Sequence, residues 1–118
     1  MKWPQKIVHY LVLVLIFSSD GWGADFQKGL IAYKKGHHIS ALREWKPLAN
    51  QGHANAQYNL GVMYEKGLGV PRDQMLAIKW YKRAAEQGVA VAQYNLGVMY
   101  EKGQGVSRDY SNAVRWYE

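Results

Sequence analysis

Four sets of residues in this chain have the types and spacing to do chemistry. His37, His38 and His53 are of the metal-ligating type. Adjacent histidines in a loop point in different directions, and no cysteine or acidic residue stands at ligand spacing, so the pattern is not that of a metal site. The carboxylates Glu44, Glu65, Asp73, Glu86, Glu101 and Asp109 could move protons. Asp73 and Asp109, however, stand where helix N-caps stand, Glu65 and Glu101 are copies of one surface position, and no nucleophile–base pair accompanies them. Gly67-x-Gly69 and Gly103-x-Gly105 have the spacing of a phosphate loop but lack a preceding strand and a following Lys-Ser/Thr. These three sets predict no enzyme, no cofactor and no bound metal.

The fourth set is Tyr58, Asn59, Val62 and Lys66, which returns as Tyr94, Asn95, Val98 and Lys102. Tyrosine offers contact area and a hydroxyl, asparagine offers two donors and an acceptor, and lysine adds a positive charge. Such a face can grip an extended peptide, a carboxyl terminus or an acidic surface. A plainer reading stands beside it for the tyrosines, which at helical spacing pack on neighbouring elements.

What positions these residues is a repeat. Ala56 to Gly67 recurs letter for letter as Ala92 to Gly103, 36 residues on, and the match continues through Gly69-Val70, Arg72-Asp73, Ala77 and Trp80-Tyr81. A period of this length marks a solenoid, whose units bury their apolar faces against one another. Each unit reads as two helices. The first runs over about 54–66, with Gln57, Leu60, Gly61 and Tyr64 on one face. Gly67 ends it and Asp73 caps a second helix from about Gln74 to Gln87, whose face carries Ala77, Trp80, Tyr81 and Ala84. An earlier unit lies at 25–52. Ala41 to Gly52 aligns with Ala77 to Gly88 at the same offset, whereas Tyr33-Lys34-Lys35-Gly36 matches Tyr64 to Gly67 at an offset of 31, which makes the first connection five residues shorter. Pro47 falls inside its second helix and is expected to bend or loosen it.

Composition narrows the function. The chain has 118 residues, no cysteine and a formal charge of +6. The basic residues are spread and interleaved with acids, which argues for a solvated surface and against a nucleic-acid partner. Residues 1–23 are of another kind: Lys2 and Lys6, an apolar run from Ile7 to Phe17, then Gly21-Trp22-Gly23 before Ala24. That is the pattern of a secretory signal peptide cut between Gly23 and Ala24, with an uncleaved N-terminal anchor as the alternative. The run is short of the roughly 20 residues a spanning helix needs, so no stable membrane span is expected after cleavage.

The motif Ala-x-x-x-Leu-Gly-x-x-Tyr, then Gly-x-Gly-Val, Asp-x-x-x-Ala-x-x-Trp-Tyr and Ala-Ala-Glu-x-Gly resembles the Sel-one-like repeat, a helical-hairpin family close to the tetratricopeptide repeat. The resemblance covers 54–118, and residues 25–53 look like the tetratricopeptide-style hairpin that precedes such arrays. It implies an all-α, right-handed α-solenoid of antiparallel helix pairs, with first helices on the concave side: a first hairpin over 24–53, a repeat over 54–89, and a repeat over 90–118 whose hairpin is incomplete. It implies an exported adaptor or scaffold in the periplasm or beyond, with a protein partner on the concave face. The alternative is a cell-wall-ligand or β-lactam-binding protein or weak hydrolase like the cysteine-rich relatives, whose cysteine pairs have no counterpart here. The short last helix carries Val114, Trp116 and Tyr117, and Trp116 and Tyr117 are expected to leave apolar surface partly uncovered, which favours self-association or fraying.

Overall fold

The computed structural model describes residues 23–118, so all but Gly23 of the leader-like segment predicted over 1–23 lies outside the described residues. Six helices follow one another: α1 Phe26–Lys34, α2 His38–Asn50, α3 Ala54–Lys66, α4 Gln74–Glu86, α5 Ala90–Lys102 and α6 Tyr110–Tyr117. The described residues form no strand, and none of their helices is long and apolar enough to cross a membrane. The main contacts join each helix to its neighbours in the chain. The result is an α-solenoid of antiparallel helix pairs, each stabilised by the pair beside it.

Helix ends follow from local chemistry. Asp73 Oδ1 accepts from the Leu76 N–H at 3.1 Å, and Asp109 Oδ1 from the Asn112 N–H at 3.0 Å. Asp25 does the same for α1, bonding the N–H groups of Gln27 and Lys28. The cap of α3 is His53, whose Nδ1 accepts from the Ala56 N–H at 3.1 Å while its ring stacks on Phe26 at 4.8 Å. Gly67 closes α3 in the left-handed conformation (φ 70°, ψ 45°), and both Gly67 and Leu68 donate to the Met63 carbonyl. Gly69, at φ +71°, also permits a close approach, since a Cβ there would lie 2.9 Å from the His38 carbonyl carbon of the preceding hairpin. Gly105 approaches Gln74 at the same distance. The Gly-x-Gly pair therefore ends one helix and seats its loop on the previous unit.

Small residues let the helices close up. Ala41, Ala77 and Ala113, 36 residues apart, are all buried, and so are Ala56, Leu60 and Met63 with their copies Ala92, Leu96 and Met99. Within each hairpin one glycine of the first helix faces one aromatic ring of the second: Gly29 faces Trp45, Gly61 faces Tyr81, Gly97 faces Tyr117. This pairing corrects the alignment of the first unit. Gly29 lies 32 residues before Gly61, and the helix ends Lys34 and Lys66 are also 32 apart. The offset is thus 32, not 31, and the first connection is four residues shorter, not five. Three residues separate α1 from α2 where seven separate α3 from α4. The helix α2 runs through Pro47 to Asn50 with Trp45 and Ala49 buried on either side. Packing of that face holds the turn despite the missing N–H.

Gln57 ties successive hairpins together. It is the one buried polar residue of the core among the described residues, its Nε2 donating to the Ala49 carbonyl and its Oε1 accepting from Gln87 at 2.8 Å. Gln93 repeats the first contact on Ala85. A polar side chain recurs inside the solenoid because it satisfies the carbonyls at the end of the preceding helix.

Candidate protein-interaction groove

Tyrosines and amides of the first helices α3 and α5 meet tyrosines of the second helices α4 and α6. The Tyr81 hydroxyl donates to Glu65 Oε2 at 2.7 Å, and the Tyr58 and Tyr81 rings lie 5.7 Å apart. Asn95, one hairpin on, lies beside both tyrosine hydroxyls. Burial raises the Tyr58 hydroxyl above its ordinary pKa, and the Asn95 amide beside it partly opposes the shift. Burial pushes Tyr81 further still, reinforced by the Glu65 carboxylate. In the last hairpin Tyr117 donates to Glu101 Oε2 at 2.7 Å, and that bond pushes its hydroxyl up to about 12.

Two cavities flank these contacts. One, of about 260 Å³, is walled by Leu30, Tyr33, Trp45, Tyr58 and Val62, with Asn59 and Lys66 at its border. The other, of about 280 Å³, is lined by Tyr94, Asn95, Val98 and Lys102 together with Glu65, Glu101 and Tyr117. The eight residues singled out from the sequence therefore fall into two sets of four, one in each cavity. Tyr58 is half-buried under the next hairpin, while Tyr94 is exposed.

The cavities differ because the first hairpin departs from the repeat. Phe26 stands where the repeat has Tyr58, Trp45 stands at the place of Tyr81, and Tyr33 replaces Glu65. The Phe26 and Trp45 rings pack at 5.9 Å, much as the two tyrosines do, but neither presents a hydroxyl, and the Trp45 Nε1–H is spent on the Phe26 carbonyl at 3.1 Å. Asn59 holds the position of Asn95. Among the described residues its amide has no side-chain hydrogen-bond partner. The first cavity is largely apolar with an amide and a cation; the second contains two carboxylates, each bonded to a tyrosine.

Sequence reasoning missed Tyr33 and Trp45 as walls and treated Glu65 and Glu101 as surface copies. The signal for the glutamates was present: Tyr81 and Tyr117 follow each by 16 residues. His53 is a cap, and among the described residues no group of three or more His, Cys, Asp or Glu could hold a metal ion.

A model of the Sel1 repeat matches residues 54–89 and 90–118. Among solved structures, a Sel1 repeat protein from Oxalobacter formigenes is 41% identical with a TM-score of 0.75, over 79% of this chain and 38% of that one. The protective antigen c5321 of uropathogenic Escherichia coli, which displays an SLR fold, is 38% identical with a TM-score of 0.73, over 84% of this chain and 22% of that one. The chain thus spans well under half the length of either structure. Comparison with curated proteins gives no match. With two matched repeats, and with helix pairs superposing on those of both solved structures, the chain belongs to the Sel1 repeat family.

Proposed function

We propose that this chain is an exported, non-catalytic interaction module that holds an extended segment of a partner protein along its first helices. The observation that carries this reading is the cavity around Asn59. Leu30, Trp45, Tyr58 and Val62 can enclose an apolar side chain, the uncommitted Asn59 amide can bond a peptide N–H and C=O together, and Lys66 can meet a carboxylate. A peptide backbone offers that combination at every residue. The second cavity extends the groove and, with Glu65 and Glu101, prefers a neutral or basic residue of the same segment. Export rests on the leader-like residues 1–23.

Affinity capture from an envelope extract, with the full chain and with its Asn59→Ala/Lys66→Ala variant, tests the binding reading. The native chain should retain a defined protein that the variant loses at unchanged helicity. Equal capture by both, or turnover of a muropeptide or β-lactam by the native chain, would refute it. Export is checked separately by the mass of the protein recovered from cells: cleavage between Gly23 and Ala24 is expected, and an intact cytoplasmic chain would disprove it.

A further inference from the structure

The second helices present an outward face that the groove does not use. On α2 it carries Ile39, Arg43 and Lys46; on α4 it carries Met75, Lys79 and Lys82. Spacings of four and then three residues put each trio on one side of its helix, opposite the buried Ala41, Trp45 and Ala49 of α2 and the buried Ala77, Tyr81 and Ala84 of α4. The two trios are 36 residues apart, and Arg115 of α6 extends the line. All five cations are exposed. So are the apolar members, Ile39 at 64% and Met75 at 66%. The carboxylates on these outward stripes, Glu86 and Glu118, sit at the C-terminal ends of their helices, away from the isoleucine and methionine. Beside Arg43, a cleft of about 350 Å³ gathers Lys28, Lys35 and a third exposed aliphatic side chain, Ile31. The carboxylate there, Glu44, is turned to the Asp25 N–H at 2.8 Å.

We infer that this outward face docks on an anionic lipid surface. Cations alone would fit any polyanion. The exposed Ile31, Ile39 and Met75 among them would find no partner on a phosphate chain, whereas a bilayer interface takes up aliphatic side chains between headgroups that the cations neutralise. The groove on the first helices stays open to its peptide, so the module would present a partner at the membrane surface.

Co-sedimentation of the full chain with vesicles tests the proposal, using phosphatidylcholine alone and a mixture containing about a third phosphatidylglycerol. The apolar run Ile7–Phe17 and the lysines before it are common to every variant, so the readout is the gain on adding anionic lipid, compared between variants. Reversing Arg43 and Lys79 to glutamate should cut that gain about tenfold or more, at roughly fivefold per cation removed. Ile39→Ser/Met75→Ser should weaken the salt-resistant part of the binding. Lys66→Glu/Lys102→Glu, in the groove, should leave the gain in place, and so should Asn59→Ala, which separates this inference from the peptide reading. An unchanged gain in Arg43→Glu/Lys79→Glu overturns the proposal. Polyphosphate or RNA binding that matches vesicle binding and ignores Ile39→Ser/Met75→Ser overturns it in favour of a soluble polyanion.

Discussion

Gly61 and Gly97 occupy the same place in two identical stretches of sequence, yet alanine should act differently at the two. At Gly61 a Cβ would lie 2.5 Å from the Tyr81 ring, closer than any real contact. Tyr81 is 1% exposed, enclosed by the α4 and α5 core and bonded to Glu65, so it has nowhere to go. Overpacking of this kind costs about 1–3 kcal/mol, and displacing the hydroxyl from Glu65 adds about 1 kcal/mol. The better helix propensity of alanine returns about 1 kcal/mol. Gly61→Ala should therefore destabilise by about 1–3 kcal/mol. At Gly97 the obstructing ring belongs to Tyr117, which is 44% exposed and can swing outward. There the loss of the Glu101 bond and the propensity gain nearly cancel, leaving a change within about 1 kcal/mol of zero. Urea unfolding of the two variants, followed by far-ultraviolet circular dichroism, measures both. Equal shifts of the two midpoints, or a Gly61→Ala more stable than the native chain, would refute the argument that the burial of the facing ring sets the cost.

Other substitutions probe the remaining links. Tyr81→Phe removes a bond to a half-buried carboxylate and should cost about 1–3 kcal/mol in the same urea experiment. Gln57→Leu strips the polar tie between hairpins and leaves the Ala49 carbonyl with the Gly52 N–H alone; a loss of about 1 kcal/mol is expected, with faster amide exchange at the α2–α3 junction. His53→Ala should cost about 1 kcal/mol for the lost cap, whereas His53→Asn, which can cap but not stack on Phe26, should recover part of it. On the alkaline side Tyr58, Tyr81 and Tyr117 are held neutral in the folded chain above the tyrosine value of 10. The folded state then binds more protons than the unfolded one, so stability is complete below pH 10 and falls as pH rises beyond it. A tyrosinate absorbance titration should show a late-titrating group coinciding with loss of helicity, and tyrosines that all ionise near 10 with the helices intact would contradict it.

Much of this molecule is written in its sequence. The letter-for-letter repeat, the glycine after Lys66, and Asp73 and Asp109 ahead of their helices fix the hairpins, because helix periodicity and capping act within a few residues and are identical in both copies. The four-residue sets beginning at Tyr58 and Tyr94 were legible for the same reason: their spacing alone puts them on one face. What lies across from a residue is not local, and there the sequence ran out. The 31-residue alignment follows a similarity of letters, whereas the packing of Gly29 on Trp45 obeys contact and demands 32. His53 carries no mark of a cap in its own letter; the role comes from the N–H of Ala56 and the ring of Phe26 converging on it. Asn59 and Asn95 are the same residue in identical stretches, and only the tertiary structure separates them, since Asn95 lies beside Tyr58 and Tyr81 where Asn59 shares a cavity with Leu30 and Trp45. Likewise Arg43, Lys79 and Arg115, 36 residues apart in the chain, hold the same exposed position on successive second helices.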